Sequence, residues 1–300
     1  MRKKIIISIC FICVLICLDR CIGLILNNGL NMYFGLRQHS EVLLVGHSHL
    51  MLAVDKESFE KGIHKKVSKY CREGVNVVDR YHMVRQYMEL PSSDSLKIVL
   101  YGVDQFMFNG TGLSHNSYKL FYPFIDEPNI DKHIKESTSP YDYWLHKIMC
   151  STRYSDALIN SSIRGWMKNW GNFKTGTLSV DKLKLQIMQG EERRICFEQN
   201  LIDTFEKTLK FLTDKNIIVV LVNTPIAKIL NEYEPESYCK IIDYFHSLDE
   251  SSELIYYWDF NPEFSGQYEL FYDAIHLNQE GQKIINKCLI DKFNETFNVL

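Results

Sequence analysis

The sequence predicts an α/β protein of 300 residues in which helices cover both faces of a parallel β-sheet. Several short runs are apolar at every position, which indicates strands that are buried on both faces. Segments with helical spacing separate these runs, and that alternation is typical of a parallel sheet with crossover helices. The 46% hydrophobic and 24% charged residues are those of a folded chain. The length suits one large domain that carries an insertion.

The N-terminus predicts a membrane helix. Three basic residues precede an uncharged and almost wholly apolar run, Ile5 to Leu18, which as a helix reaches only ~21 Å against a hydrocarbon core of ~30 Å. That length resembles the core of a signal peptide, but no small-residue cleavage site follows it. If the helix continues to Leu26 it can span, with Asp19 and Arg20 near the far interface. We therefore expect an uncleaved signal-anchor with a cytoplasmic N-terminus; a buried helix of a soluble protein is the alternative.

The remaining elements follow in order. Residues 1–27 are expected to form the anchor, and residues 28–300 the exported domain on the periplasmic or extracellular face, beginning with a polar linker at 27–40. Strands are predicted at residues 42–45, 67–71, 96–101, 217–222 and 253–258. Helices are predicted at residues 56–66, 77–90, 191–213, 238–248 and 279–293.

Residues from about 106 to 190 break this alternation and predict an inserted cap region. The stretch is rich in aromatic, Asn and Ser residues, and short helices are expected near 141–150 and 155–170. Its rings could pack the cap, or they could form a sugar-stacking wall: Tyr118, Phe121, Tyr122, Phe124, Tyr141, Tyr143 and Trp144.

Composition argues against several classes of function. A net charge of -3 gives no electrostatic reason to expect a nucleic-acid partner. Four of the nine cysteines lie in the anchor, and the other five are scattered with no CxxC spacing. Neither a disulfide framework nor a zinc site is indicated, and no metal or other cofactor is expected.

A serine, an aspartate and a histidine stand where the chemistry of such a fold is located. Ser48 follows the first strand, Asp273 and His276 follow the last, and ligands of parallel sheets bind beyond the carboxyl ends of the strands. A serine hydroxyl becomes a good nucleophile when an imidazole takes its proton, and a carboxylate fixes that imidazole's tautomer. Each residue alone is weak, since a serine often follows a strand and D-x-x-H often occurs by chance. Together they predict a Ser-His-Asp site.

Three short motifs resemble the SGNH (GDSL-like) hydrolases. Val42–His49 resembles the family's first block, in which a strand ends in Gly-Asp-Ser. Phe271–Gly281 resembles the last block, D-x-x-H-L-N-x-x-G, and Gly74 matches the glycine of the second. The chain is most similar to the membrane-anchored envelope branch, which includes alginate O-acetylation and lipoteichoic-acid D-alanylation proteins. The resemblance implies a flavodoxin-like three-layer α/β/α fold and ester hydrolysis or acyl transfer to a sugar.

The resemblance also implies roles for particular residues. Ser48 would be the nucleophile, His276 the base, Asp273 its orienting partner, and the N–H groups of Ser48 and Gly74 the oxyanion hole.

Two positions depart from the family pattern. His47 replaces the usual Asp of the first block, and Asp104 stands where the third block, G-x-N-D, has an Asn that donates to the oxyanion. An ionised Asp104 accepts hydrogen bonds and cannot donate, and the loss of one such donor costs about 2.7–4 kcal/mol. Gln105 or a residue of the insertion could replace it. Candidate substrate contacts, for which packing or turn roles are the alternative, are His47, His49, Asp104, Gln105 and Asn223.

Two functions are consistent with these residues. The first is a membrane-anchored serine esterase or O-acyltransferase that acts on an acylated envelope glycan or related ester. The second is a non-catalytic SGNH-like domain that binds glycan or partners a membrane acyltransferase, which the changes at His47 and Asp104 favour. A purely structural role would leave the D-x-x-H-L-N motif unexplained.

Overall fold

The computed structural model describes residues 2–110, 117–188 and 194–297. These residues form two compact units. Residues 2–36 and 117–169 make up one unit, which we call the anchor unit after the role predicted for its first helix, and the remaining described residues make up the sheet unit.

The sheet unit contains a five-stranded parallel sheet with the order β2-β1-β3-β4-β5. Its strands are β1 (Val42–Gly46), β2 (Val67–Cys71), β3 (Ile98–Val103), β4 (Ile218–Asn223) and β5 (Ile255–Asp259). Val42 of β1 pairs with Val67 on one side and with Ile98 on the other. The predicted α/β class and parallel sheet are confirmed.

Helices account for most of the remaining structure. In chain order the α-helices are α1 (Arg2–Phe34), α2 (Ser48–Ala53), α3 (Lys56–Ile63), α4 (Val77–Met88), α5 (Pro128–Ser137), α6 (Pro140–Ile148), α7 (Asp156–Trp166), α8 (Val180–Met188), α9 (Gln199–Thr213), α10 (Lys228–Asn231), α11 (Pro235–Ser251), α12 (Asn261–Phe264) and α13 (Gln279–Phe297). Short 3₁₀ helices lie at Pro91–Ser95, Ser117–Phe124, Cys150–Arg153 and Tyr268–Leu270.

Helices pack on both faces of the sheet and make three layers. On one face, α2, α3 and α13 bury Phe59 and Phe293 in a core that contains Val42 and Leu100 of the sheet. On the other face, Phe205 of α9 lies 5.5 Å, between ring centroids, from Tyr101 of β3. Alternate residues of each strand therefore face opposite helical layers, which explains why β1 is apolar throughout, whereas β2 also contains Ser68 and Lys69.

Helices α2, α5 and α8 were not predicted, and two predicted segments differ from the structure. The expected linker at 27–40 is helical as far as Phe34, because Leu30 and Phe34 are buried and the Asn27 amide donates to the Pro123 carbonyl at 2.9 Å. The helix expected from Glu191 begins instead at Gln199, where the apolar spacing becomes regular. Residues 191–193 lie outside the described residues.

The anchor unit joins α1 to part of the expected insertion. Helix α7 packs along α1 so closely that a Cβ on Gly165 would lie 1.9 Å from the carbonyl oxygen of Gly29. Small residues permit such a close approach of two helix backbones. Residues 117–169 thus pack with α1, whereas 106–110 and 170–188 belong to the sheet unit.

The predicted long apolar helix at the N-terminus is present. The segment Lys3–Phe34 of α1 is long and apolar enough to cross a membrane, with a mean hydropathy of 2.6 in its most apolar window and none of that window buried. The exposure distinguishes it from a core helix. Its role as an anchor, and its orientation, stay predictions.

Candidate active site

Ser48 is the first residue of α2 and lies at the carboxyl edge of the sheet. Strand β1 ends at Gly46, and β1 lies between β2 and β3, where the strand order reverses direction. A Cβ on Gly46 would lie 2.9 Å from the Leu50 Cβ, so a residue with a side chain would push α2 away from the strand. The glycine therefore allows a helix to begin two residues after the strand and places Ser48 at its tip.

Asp273 and His276 lie in a tight loop that the aspartate itself organises. Asp273 Oδ1 accepts hydrogen bonds from the backbone N–H of Ile275 at 3.0 Å and of His276 at 2.9 Å. Asp273 Oδ2 lies 2.8 Å from His276 Nδ1. An aspartate that bonds its own backbone two and three residues later is a common turn device. Here that device also brings the carboxylate to the ring, a contact that the spacing alone could not place.

The loop brings His276 against Ser48. His276 Nε2 lies 2.8 Å from Ser48 Oγ, although the two residues are 228 positions apart. Because an ionised carboxylate only accepts, Nδ1 carries the ring proton and Nε2 is free to accept from the serine hydroxyl. Burial opposes ionisation of Asp273, but the hydrogen bonds from His276 outweigh it and hold the pKa of this carboxyl below its usual range.

Contacts outside the motif hold this loop in place. Strand β5 is separated from β1 by β3 and β4, so the chain must return across the edge of the sheet. The N–H of Ala227 donates to the Ala274 carbonyl at 2.8 Å, and the N–H of Leu178 donates to the Phe271 carbonyl at 2.8 Å. Both partners come from distant segments that sequence analysis did not identify.

The asparagine and glycine of the last motif have local structural roles. Asn278 Nδ2 donates to the Glu269 carbonyl at 2.7 Å, and its Oδ1 accepts from Gly281 N at 3.0 Å at the start of α13. A Cβ on Gly281 would lie 2.3 Å from the Leu270 carbonyl oxygen. These residues therefore fix the return of the chain into α13 and with it the position of His276.

A second histidine–aspartate pair lies beside Ser48. His47 Nδ1 accepts the backbone N–H of His49 at 3.1 Å, so Nε2 carries the proton and is in direct hydrogen-bond contact with Asp104 Oδ2. Asp104 Oδ1 accepts the N–H of Phe106 at 2.6 Å. Burial lowers the pKa of the His47 imidazole. Burial opposes ionisation of Asp104, but the electrostatic attraction of His47 and its hydrogen bond outweigh burial and lower the pKa of this carboxyl. The pair is a neutral imidazole on an ionised carboxylate, and Asp104 accepts hydrogen bonds as the sequence predicts.

Gly74 and Gln105 are candidate donors to the predicted oxyanion site. Gly74 lies in the turn after β2 with φ of 78°, a left-handed conformation that favours glycine, and β2 pairs directly with β1. Gln105 follows Asp104 and is buried, and its Nε2 has no hydrogen-bond partner among the described residues. A buried amide donor of this kind is unusual enough to need an explanation.

The other candidate substrate contacts are also buried. The His49 ring packs edge-on against His276, with centroids 5.5 Å apart. Asn223 ends β4, and its Nδ2 donates to Asp259 Oδ1 at 3.0 Å and to the Tyr257 hydroxyl at 3.2 Å. That amide therefore joins β4 to β5, and substrate contact by Asn223 or His49 stays a prediction.

One set of side chains in the described part of the chain has the spacing of metal ligands. Ligand atoms of His47, His49 and Asp104 lie within 4.8 Å of one another. An ion there would have to separate His47 from Asp104, which are already joined by a hydrogen bond, and His47 Nδ1 is occupied by the His49 N–H. As arranged, these residues fit a hydrogen-bonded pair better than an ion site.

A pocket of about 260 Å³ opens beside Asp273 and His276. Asp273 and His276 form one side of it, and the other lining residues are Phe106, Gln186, Leu230, Ala274 and Ile275. The lining is mostly apolar and comes from four separate parts of the chain. Sequence analysis could not identify it for that reason.

Comparisons with known proteins give only distant similarities. No protein-family profile and no curated protein matches the chain. A solved structure assigned provisionally as a platelet activating factor from Streptococcus pneumonia is 11% identical, with a TM-score of 0.41 over 88% of this chain and 90% of its own. The lipase Lip_vut3 from a goat rumen metagenome is 12% identical, with a TM-score of 0.36 over 83% and 94%. Similarity at this level carries no argument about activity.

Proposed function

We propose that the chain is a membrane-anchored serine esterase or O-acyltransferase of the SGNH type that acts on an acylated envelope glycan or related ester. The observation that carries the proposal is the bonded series of Ser48 Oγ, His276 Nε2 and Asp273, with 2.8 Å at each contact to the ring. Each atom has the role that acyl transfer requires: a hydroxyl donor, a basic nitrogen and an orienting carboxylate.

In the first half-reaction, Ser48 Oγ attacks the acyl carbonyl while its proton passes to His276 Nε2. The resulting imidazolium is stabilised by the Asp273 carboxylate, which stays ionised because the pKa of this group is lowered. The tetrahedral intermediate then collapses, the alcohol leaves with the proton from Nε2, and an acyl-Ser48 ester remains.

The second half-reaction decides between hydrolysis and transfer. His276 Nε2 takes a proton from water or from a sugar hydroxyl, and the oxygen attacks the acyl-Ser48 carbonyl. Collapse returns the proton to Ser48 Oγ and releases a carboxylic acid or a new ester. Both outcomes use the same residues.

The oxyanion that forms in each half-reaction needs donors. We propose the backbone N–H groups of Ser48 and Gly74 for two of them. Asp104 cannot be the third, since its lowered pKa keeps it ionised. The neighbouring Gln105 offers a buried amide donor with no other use among the described residues, which makes it our candidate.

The pocket beside His276 supports a short acyl group. Its volume of about 260 Å³ lies below the ~300–1,000 Å³ of typical ligand clefts, and it must also leave room for the carbonyl. Phe106, Leu230 and Ile275 give it apolar walls that suit a small acyl chain.

For the location of the domain, we propose a single membrane span by α1 with the catalytic domain exported. Three basic residues before the apolar run favour a cytoplasmic N-terminus. The exposed apolar surface of α1 supports a span, because no part of its most apolar window is buried.

One observation favours the non-catalytic alternative, a domain that binds glycan or partners a membrane acyltransferase. An ionised acceptor, Asp104, stands where SGNH hydrolases have an oxyanion donor. A domain of this kind would retain the fold and lose the reaction.

Hydrolysis of 4-nitrophenyl acetate by the full chain separates the two functions. We expect turnover that Ser48→Ala and His276→Ala each abolish, while Ser247→Ala, an exposed serine in α11, leaves it unchanged. Turnover that survives Ser48→Ala would exclude this triad, and absence of turnover with intact glycan binding would support the alternative.

A further inference from the structure

We propose that the outward face of α6 lies in the interfacial layer of the membrane that α1 crosses. This membrane-contact face consists of Tyr141, Trp144, Leu145, Ile148 and the adjoining Met149. This face contacts the lipid bilayer at the boundary between acyl chains and headgroups. The inference rests on the membrane-anchored part of the proposed function, not on the esterase reaction.

The spacing of the face is that of an amphipathic helix. Its four helical members follow one another at intervals of three, one and three residues, which places them on one side of α6. Tyr141, Trp144 and Ile148 are 75%, 58% and 62% exposed, respectively. No charged side chain lines this face. Such large exposed apolar areas on one helix are typical of a contact surface.

The polar side chains of α6 point the other way, into the anchor unit. Lys147 Nζ donates to Asp131 Oδ1 at 2.6 Å and to the Ile125 carbonyl at 2.9 Å. His146 Nδ1 lies 3.0 Å from the Thr152 hydroxyl. The helix therefore separates a bonded polar side from an apolar side on which Tyr141, Trp144 and Ile148 are largely exposed.

The end of α6 is bonded to α1 at the point where the apolar run of α1 ends. Asp19 Oδ2 accepts Cys150 N and Asp19 Oδ1 accepts Ser151 N, each at 2.8 Å. Arg20 Nη2 donates to the Ile148 carbonyl at 3.0 Å. These bonds fix the depth of the membrane-contact face relative to α1.

The length of α1 sets that depth. Ile5–Leu18 reaches only ~21 Å as a helix, against a hydrocarbon core of ~30 Å. The missing ~9 Å corresponds to about six further residues, so the outer boundary falls near Leu24. The end of α6, which is bonded to Asp19 and Arg20, then lies inside or at this boundary, where exposed side chains should be apolar.

The composition of the surface matches this position. Trp and Tyr are enriched at membrane interfaces because their rings combine an apolar body with a polar group. A second tryptophan, Trp166 of α7, is half exposed and donates its indole N–H to the Ile25 carbonyl at 3.0 Å. Ile25 lies next to Leu24, where the outer boundary of the hydrocarbon core falls. Asp19 and Arg20 are bonded to protein groups, which reduces the cost of placing them there.

Depth-dependent fluorescence quenching tests the inference on the full chain. The chain has four tryptophans, so Trp166→Phe, Trp170→Phe and Trp258→Phe together leave Trp144 as the sole reporter. A matched variant retains only Trp258, which is buried in the sheet unit. Both are reconstituted in phosphatidylcholine vesicles with or without brominated acyl chains. We expect the brominated lipid to remove most of the Trp144 emission and to leave the Trp258 emission unchanged.

The unsubstituted chain provides a second readout if these variants fold poorly. Phosphatidylcholine with a diazirine on its acyl chain should cross-link peptides that contain residues 140–149, and it should spare the β5 peptide. If the brominated lipid leaves the Trp144 emission unchanged and no such cross-links form, the inference is overturned. This includes the outcome in which chemical cross-linking shows α6 in contact with a second copy of the chain. If alkaline carbonate releases the chain from the vesicles, α1 does not span the membrane, and the inference is overturned as well. Labelling of Ser48 by a fluorophosphonate reports the esterase proposal separately from both results.

Discussion

Replacement of Asp273 by Asn tests how the geometry of the triad would produce its chemistry. The aspartate makes two kinds of bond: Oδ1 accepts two backbone N–H groups, and Oδ2 accepts the His276 Nδ1 proton at 2.8 Å. An asparagine oxygen can keep the backbone bonds, which would place its NH₂ group against Nδ1. Two donors cannot bond, so the ring is expected to take the tautomer in which Nε2 carries the proton. In that form Nε2 cannot accept the proton of Ser48.

The expected effect is large on rate and small on stability. In serine protease triads the same exchange lowers kcat by about 10⁴, which corresponds to ~5.5 kcal/mol in the barrier. The loop itself should persist, because Asn278 and Ala227 hold it through bonds that do not involve Asp273. We therefore expect little change in the thermal midpoint of Asp273→Asn.

The assay is steady-state hydrolysis of 4-nitrophenyl acetate by the full chain, with thermal unfolding of the same samples. Asp94→Asn, at an exposed position in the 3₁₀ helix Pro91–Ser95, is the matched control and should leave both quantities unchanged. If Asp273→Asn retains kcat to within about tenfold of the unsubstituted chain, the carboxylate does not set the His276 tautomer. That result would refute the reasoning.

Three further predictions concern other parts of the molecule. Gln105→Met should lower kcat/KM by about 10²–10³ if its amide is an oxyanion donor; unchanged activity, with equal or greater stability, would identify it as a buried donor without a catalytic use. Because the pKa of Asp104 is lowered in the fold, its contribution to stability is present above the ordinary value of ~3.9 and is lost as the pH falls. The free energy of unfolding in urea should therefore fall less steeply at acid pH for Asp104→Asn than for the unsubstituted chain. An equally steep fall would contradict the expected direction. Gly165→Ala should destabilise the packing of α7 on α1 by about 1–3 kcal/mol, while Gly266→Ala, whose Cβ would meet nothing within 4 Å, should not; equal thermal midpoints would count against the close helix contact.

The strands, and the proximity of Ser48, Asp273 and His276, could be predicted from sequence because short local patterns indicate them. A run such as Val42–Val45 is apolar at every position, and only a strand buried on both faces suits it in this context. The motif Asp273–Asn278 encodes its own geometry, since the aspartate bonds the backbone that positions His276. Ser48 follows a strand that ends at Gly46, and it became a candidate only together with Asp273 and His276.

The features that the sequence did not reveal depend on contacts between distant residues. The segment 27–34 has the composition of a linker, yet it is helical, and its residues Leu30, Tyr33 and Phe34 are buried. His47 and Asp104 are 57 positions apart, so their pairing could not be inferred from either residue. The bonds from Asp19 to Cys150 and Ser151 join segments more than 100 positions apart, and they show that part of the insertion packs on α1.

The most direct test of the central claim is covalent labelling of the full chain with a fluorophosphonate, followed by peptide mapping. The account predicts one adduct, on Ser48, that is absent in Ser48→Ala and forms far more slowly in His276→Ala, because the hydroxyl then lacks the base that lies 2.8 Å away. An adduct that persists in Ser48→Ala, or one that forms equally fast without His276, would contradict it.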